Sequence, residues 1–332
     1  MKKNNIGNAI KSSLFGIAGA CILGIGPSHA ELPKNYPTKP IDLIIPFAPG
    51  GGVDLFGRTV ASLLAEEKIV PQRIQVINKP GAGGANGIAE MATRRKGDLY
   101  SLLGIAIHIH VTPLALGTRY TYKDVTPIAK LFTVYQMMVV RSDSPIKSLK
   151  DVEQMLRKDA GSVKFGGASI GNAHHITVSK FAQSIGVAPA KVTFIAYSGG
   201  ETNAAVLGGH VDVGVGGPDL IDLIKAGKMR VLAISSPTRI GDEFADIPTF
   251  VEQGYNVTNE EWRGIFGPAG MPPDAVVYWQ QALTRLAGSA RWQEALKRFQ
   301  WSPALETLTF PDTLAKEYET YRALLQQLGL VK

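Results

Sequence analysis

Pro46-Phe47-Ala48-Pro49-Gly50-Gly51-Gly52-Val53-Asp54 joins an apolar run at 41–45 to a helical pattern of Val53, Phe56, Val60, Leu63 and Leu64. The order spelled out is strand, glycine turn, helix. Such a junction aims several backbone N–H groups, and the positive end of a helix dipole, at one point. The pattern then returns: 74–77 reads as a strand, and Asn78-Lys79-Pro80-Gly81-Ala82-Gly83-Gly84-Ala85-Asn86-Gly87 opens a helix through Ile88 and Met91. Two glycine turns on neighbouring strands would form one cradle for an anion, and a small carboxylate is the expected occupant.

Working outward, strands are expected at 41–46, 74–78, 100–106, 129–141, 163–167, 192–196, 211–215 and 229–235. Helices are expected between them at 53–68, 86–95, 148–158, 173–185, 201–207 and 218–226, and again at 273–287, 290–299 and 311–328. Strand–helix alternation predicts an α/β fold with two mostly parallel sheets flanked by helices. The run 129–141 is unusually long for one strand, roughly 40 Å at ~3.3 Å per residue. A strand of that length can leave one lobe and enter another. Trp262-Arg263-Gly264-Ile265-Phe266-Gly267-Pro268 is the expected return crossing. The predicted organisation is therefore a first lobe of 31–134 plus 256–332 and a second lobe of 135–255, joined by two crossing strands. Ligands of open α/β sheets bind outside the carboxyl ends of the strands, so two such edges facing each other make a clamp.

The first thirty residues read as an address. Lys2, Lys3 and Lys11 form a basic start, 14–25 is apolar, and Ser28-His29-Ala30 places small residues at −3 and −1. This is a secretory signal peptide cleaved after Ala30, and the chain is expected in the periplasm. The apolar run is too short to span a membrane comfortably, and no later segment approaches ~20 apolar residues. The one cysteine, Cys21, sits in Ala18-Gly19-Ala20-Cys21, a loose likeness of a lipidation box that the apolar residues beyond it argue against. Cleavage after Ala30 leaves no cysteine, which excludes disulfides, thiolate metal sites and cysteine nucleophiles. Removing the three leader lysines from 35 Lys and Arg leaves only a small excess over 28 Asp and Glu. No basic stripe suggests nucleic acid.

Each candidate motif has a plainer alternative. Phe47, Ala48, Pro49, Gly50 and Gly51 lack the lysine of a phosphate loop, and the same turn could serve packing alone. Asp54 either caps the helix start or touches ligand. Gly81, Ala82, Gly83 and Gly84 resemble a dinucleotide loop, but Asn86 stands where its last glycine is needed; no cofactor is expected. Gly167-Ala168-Ser169-Ile170-Gly171 satisfies G-x-S-x-G between a strand and a helix, the signature of a serine hydrolase. Its triad is poorly supplied: His174 and His175 fall in the helix that Ser169 precedes, and Glu201 is the one acid between Ser169 and His210. Ser169, Gly171 and Asn172 therefore read better as ligand contacts at a helix start. His108 and His110 alternate and are expected on one face of an extended segment; with no carboxylate at ligand spacing, no metal is expected. Tyr197-Ser198-Gly199-Gly200-Glu201 and Gly216-Gly217-Pro218-Asp219 are two further strand-to-helix turns. They add Tyr197, Gly199, Gly200, Gly217 and Asp219 to the site.

These landmarks, in order, resemble the extracytoplasmic receptors of the tripartite tricarboxylate transporter family, the Bug or TctC-like proteins. They comprise Tyr36-Pro37, Lys39-Pro40-Ile41, the 46–51 and 78–84 turns with Asp54, Leu207-Gly208-Gly209-His210-Val211-Asp212, Ala226-Gly227-Lys228, Ile247-Pro248-Thr249 and Phe266-Gly267-Pro268-Ala269-Gly270. The resemblance covers nearly the whole mature chain. It implies a two-lobed periplasmic-binding-protein fold and no enzymatic activity. A carboxylate would be held by backbone N–H groups, small hydroxyls and water rather than by arginine. It also implies a monomer that hands its solute to membrane subunits. The chain departs from its relatives at Lys96-Gly97-Asp98-Leu99-Tyr100-Ser101, where they carry Pro-Asp-Gly-Tyr-Thr, and the Tyr197 turn is about one residue short. A periplasmic serine hydrolase, or a ligand-loaded partner of a sensor kinase, is the alternative function.

Overall fold

The computed structural model describes residues 32–197, 201–241 and 245–331. The expected leader with Cys21, and the site candidates Gly199 and Gly200, lie outside the described residues. The chain runs β1 (Ile41–Ile45), α1 (Gly52–Glu66), β2 (Ile74–Asn78), α2 (Ala85–Ala92), β3 (Ser101–Ala106), α3 (His108–Leu116) and β4 (Thr126–Tyr135). It continues through β5 (Met137–Arg141), α4 (Leu149–Lys158), β6 (Lys164–Gly167), α5 (Ala173–Ser184), β7 (Thr193–Ala196), α6 (Glu201–Leu207), β8 (Val213–Gly216), α7 (Ile221–Lys225) and β9 (Met229–Ile234). It closes with β10 (Glu260–Gly267), α8 (Pro273–Ala287), α9 (Ala290–Phe299), β11 (Ser302–Glu306) and α10 (Phe310–Gln327).

The strands form two sheets, one ordered β11-β4-β10-β3-β1-β2 and the other β7-β6-β8-β5-β9. Both are mixed rather than mostly parallel. The β1–β2, β1–β3, β6–β7 and β6–β8 pairs are parallel. Every pairing of β10, β4, β11, β5 and β9 is antiparallel. The physical cause lies in the connections. Helix-bearing crossovers make the parallel half of each sheet, whereas β5 and β10 enter from the opposite sheet and so run against their neighbours. Helices cover both faces of the first sheet, with α1, α8 and α9 on one side and α2, α3 and α10 on the other. Burial drives this layering: Ile41, Leu43, Ile44 and Ile45 of β1 are all fully inside. A fully buried aliphatic side chain contributes about 1.5–3 kcal/mol.

Three expectations need correcting. The single strand at 129–141 is two strands, broken at Gln136, which lies between the two sheets. The break is stitched to the return path. Gln136 N–H donates to Ser235 Oγ (2.9 Å), the Ser235 hydroxyl donates to Asn259 O (2.7 Å), and Ser235 N–H donates to Gln136 O (2.8 Å). All three residues are buried, so these bonds satisfy backbone that has left one ladder and not yet joined the next. Second, His108 and His110 lie on helix α3, not on an extended segment. The run 107–114 is buried on nearly every side, His110 and Thr112 included, and periodicity cannot tell such a helix from a buried strand. Third, β11 was not expected. Pro303 argues against a central strand, and β11 is in fact an edge strand, where a missing N–H costs little.

Candidate functional site

The two glycine turns are neighbours, as the parallel pairing of β1 and β2 requires. Gly50, at φ +85°, and Gly83 and Gly84, at +59° and +100°, adopt backbone that L side chains rarely take. The Phe47 ring covers the second turn: a Cβ on Gly84 would lie 3.2 Å from its Cζ. From behind, the Thr112 hydroxyl donates to Gly83 O at 2.7 Å. Asn78 Nδ2 ties the turns together by donating to Phe47 O (3.0 Å) and Asp54 Oδ1 (2.8 Å).

Asp54 is only 3% exposed, and its carboxylate is fully engaged within the protein. Oδ2 accepts from Gly50 N–H and from Arg58 Nε, both at 2.9 Å, while Oδ1 accepts from Asn78. Burial alone would raise its pKa; the bonds to Arg58, Gly50 and Asn78 more than offset this and hold the carboxyl below the usual range. Its role here is to fold the 47–51 turn back over the start of α1. Ala48, Pro49, Gly50 and Gly51 stand exposed at the tip of that turn.

On the second sheet, Asn172 is the N-cap of α5, its Oδ1 accepting from His174 N–H and His175 N–H. The neighbouring Gly171 is packed: a Cβ there would meet Val111, Leu325 and Leu330, all of the first sheet's helical layer or its C-terminal extension. Ser169 is exposed in the same turn. The adjacent histidines do not serve it as bases, because His174 Nδ1 accepts from Ala168 N–H and His175 Nδ1 from Gly171 N–H, each at 3.0 Å. Burial pushes His175 down to about 4 and lowers His174, so both are neutral at pH 7. Tyr197 follows β7, with its ring edge against Gly166.

Where elements of the two sheets meet, a cavity of about 340 Å³ opens. The start of α1 supplies Gly52 and Leu55, the sheet-to-sheet crossing supplies Val134 and Gln136, and β10 supplies Glu261 and Arg263. The second sheet contributes His174, Gly217, Pro218 and Asp219. Of the predicted site residues, Gly217 and Asp219 line this cavity directly. Gly51 adjoins it as the residue before Gly52. The other predicted site residues among those described do not line it.

Sequence reasoning missed the cavity's charged centre. Arg263 Nη2 lies 3.1 Å from Glu261 Oε1, and Nη1 donates to Glu261 O (3.0 Å) and Trp262 O (3.2 Å). A Cβ on Gly52 would be 3.5 Å from Nη2, so the guanidinium faces the opening of α1. Gln136 Nε2 donates to Glu261 Oε2 at 3.1 Å. Burial would raise the Glu261 pKa, but the Arg263 guanidinium beside it holds it below the usual carboxylate range. The signal was present in the sequence. Within Glu261-Trp262-Arg263 the strand period of two puts both charges on the face opposite Trp262. Opposed charges on a central strand must pair or meet a ligand.

Among the described residues, no helix is long and apolar enough to cross a membrane, and no group of three or more His, Cys, Asp or Glu side chains could hold a metal ion. The model for the tripartite tricarboxylate transporter family receptor matches residues 57–330. Protein BugT of Bordetella pertussis is 27% identical over 330 residues, covering 95% of this chain and 97% of BugT. A TctC solute-binding protein from Polaromonas superposes with a TM-score of 0.75 at 28% identity, over 88% of this chain and all of that one. A Rhodopseudomonas palustris protein solved with adipate shares the fold, with a TM-score of 0.72 at 22% identity, over 89% of this chain and 99% of its own. The chain belongs to the tripartite tricarboxylate transporter receptor family, whose members are solute-binding receptors rather than enzymes.

Proposed function

We propose that this protein, exported and cleaved after Ala30, captures a small organic carboxylate in the cavity between the sheets and delivers it to the membrane subunits of a tripartite tricarboxylate transporter. The observation that carries this reading is that Arg263 Nη2 stands beside the first residue of α1 on the wall of one 340 Å³ cavity. A carboxylate set against both accepts hydrogen bonds from the guanidinium and from amides of the helix start. The glycine turns at 47–51 and 81–84 and the 169–172 turn shape the approach, pre-folded by Asp54, Asn78 and Thr112. A preformed cradle reduces the ordering cost of binding. The lobes, 31–134 plus 256–332 against 135–255, close about the crossings at Gln136 and Asn259, and the protein acts as a monomer. The adipate complex of a relative supports an organic acid as the solute class.

The test is a thermal-shift screen of carboxylic acids, followed by titration calorimetry, on the wild type and on Leu55→Trp. Leu55 is 38% exposed and lines the cavity, so the indole fills it without disturbing the buried ion pair. A solute at a hundred times its Kd stabilises by about 2.7 kcal/mol. The wild type should show that shift, and Leu55→Trp should lose it while keeping the melting temperature of the unliganded protein. Equal binding by both variants would take the solute out of this cavity.

A further inference from the structure

Helix α5 is carried by the second sheet, yet its two faces are buried in different cores. Val178, Phe181 and Ile185 pack with Phe165 of β6 and Val213 of β8. Ala173 and Ile176, at the start of the helix, belong instead to a core of the first sheet, with Val111 of α3 and Leu324 and Leu325 of α10. Polar groups fasten the same turn. Asn259, the residue before β10, is buried, and its Nδ2 donates to Ala173 O (2.8 Å) and Thr177 Oγ1 (2.9 Å). Further along, Lys180 Nζ donates to Thr258 O at 2.8 Å, and Gln183 Nε2 donates to Gln327 Oε1.

The hold extends to the turn before the helix. Gly171 stands against Val111, Leu325 and Leu330, each 3.7–3.8 Å from where its Cβ would be. Thr112, next to Val111, supports Gly83 from behind. Consecutive residues of α3 therefore back the 81–84 turn of the first sheet and the 169–172 turn of the second. Helix α6 and the lead into α7 are placed differently. Ala205, Val206 and Leu220 pack in a core drawn wholly from the second lobe.

Resting on the reading that the lobes close on a solute, we propose that the start of α5 is a third connection between them. It is a pivot that stays packed on α3 and α10 whether the cleft is open or closed. Parting α5 from α10 would expose Ile176 and Leu325 to water and strip Asn259 of its acceptors. Rotation about an axis through the crossings and the start of α5 avoids both costs. The 169–172 turn thus keeps its place relative to the 81–84 turn in every state. A solute meets these turns already assembled, and closure brings the α6–α7 side of the second lobe onto it.

The test is distance measurement by electron paramagnetic resonance on spin-labelled cysteine pairs in the mature chain, which has no cysteine of its own after Ala30. One pair, Gln183→Cys with Gln327→Cys, spans the pivot. The other, Asp222→Cys with Gln293→Cys, joins α7 to α9, where Asp219 and Phe299 face one cavity. All four positions are exposed. Each pair is measured alone and with adipate, malate or citrate. The α7–α9 distance should be broadly distributed in the free protein and should shift by more than about 2 Å with one of the acids, while the α5–α10 distance holds within about 1 Å. An α5–α10 distance that moves together with the α7–α9 distance would overturn the pivot and leave the carboxylate reading standing. A broad α7–α9 distribution that ignores all three acids, beside a constant α5–α10 distance, would uphold the pivot and count against the carboxylate reading. Two narrow, unchanging distances would show lobes that do not part, and the pivot proposal would fall.

Discussion

Replacing Asp54 with alanine tests whether the first glycine turn is held by the carboxylate rather than by its own backbone. Three bonds are lost. The Gly50 N–H bond is charge-assisted and sits at a 3%-exposed acceptor, so it contributes about 1.5–3 kcal/mol. The Arg58 pair adds little, because the arginine is more than half exposed. Asn78 keeps Phe47 O as an acceptor, and its loss is near 1 kcal/mol. The expected total is about 2.5–4 kcal/mol, read as a fall in urea midpoint at unchanged m-value. Solute affinity should fall as well, since the freed turn must be ordered on binding. Asp54→Asn should recover much of the stability by accepting from Gly50. An Asp54→Ala protein within about 0.5 kcal/mol of wild type would show that the turn does not depend on this carboxylate.

Ser235→Ala removes the hydroxyl that joins both crossings and leaves a buried Gln136 N–H without its acceptor. A loss of about 1–3 kcal/mol in urea unfolding is expected, and an unchanged midpoint would mean the remaining Ser235 backbone bonds suffice. The pH dependence has a definite sign. Burial depresses His108 and His175 from 6.5 to about 4. Between those values the unfolded chain binds protons that the folded chain refuses. Stability is therefore full above about 6.5 and falls as pH drops toward 4, by about 1.4 kcal/mol per unit per histidine. Histidine titrations followed by NMR check it, and midpoints near 6.5 for both rings would contradict it.

The fold was legible where one element type had one periodicity. The helices at 273–287 and 290–299 stand where their apolar spacing placed them, and β1, α1 and β2 follow from the glycine turns between them. Legibility failed where burial erased the period, as in α3, and where strand direction depended on partners distant in sequence, as for β5 and β10. The site divided in the same way. Glycine turns announce themselves locally, and the structure brings the first two side by side. The cavity floor, made of Gln136, Glu261 and Arg263, draws on residues far apart in the chain and carries no local motif. Asp219, at a turn read from sequence, proved to line the cavity, whereas Asn172 spends its side chain on the start of α5. Local patterns thus marked the turns, and long-range pairing assembled the cavity floor.

The most direct test of the account is a crystal structure of the protein with the acid that stabilises it most in the thermal-shift screen. The account places that solute's carboxylate against Arg263 and the Gly52 end of α1, within the cavity that Gln136 and Asp219 line. Solute density lying elsewhere, or an Arg263–Glu261 pair left untouched across an empty cavity, would contradict it.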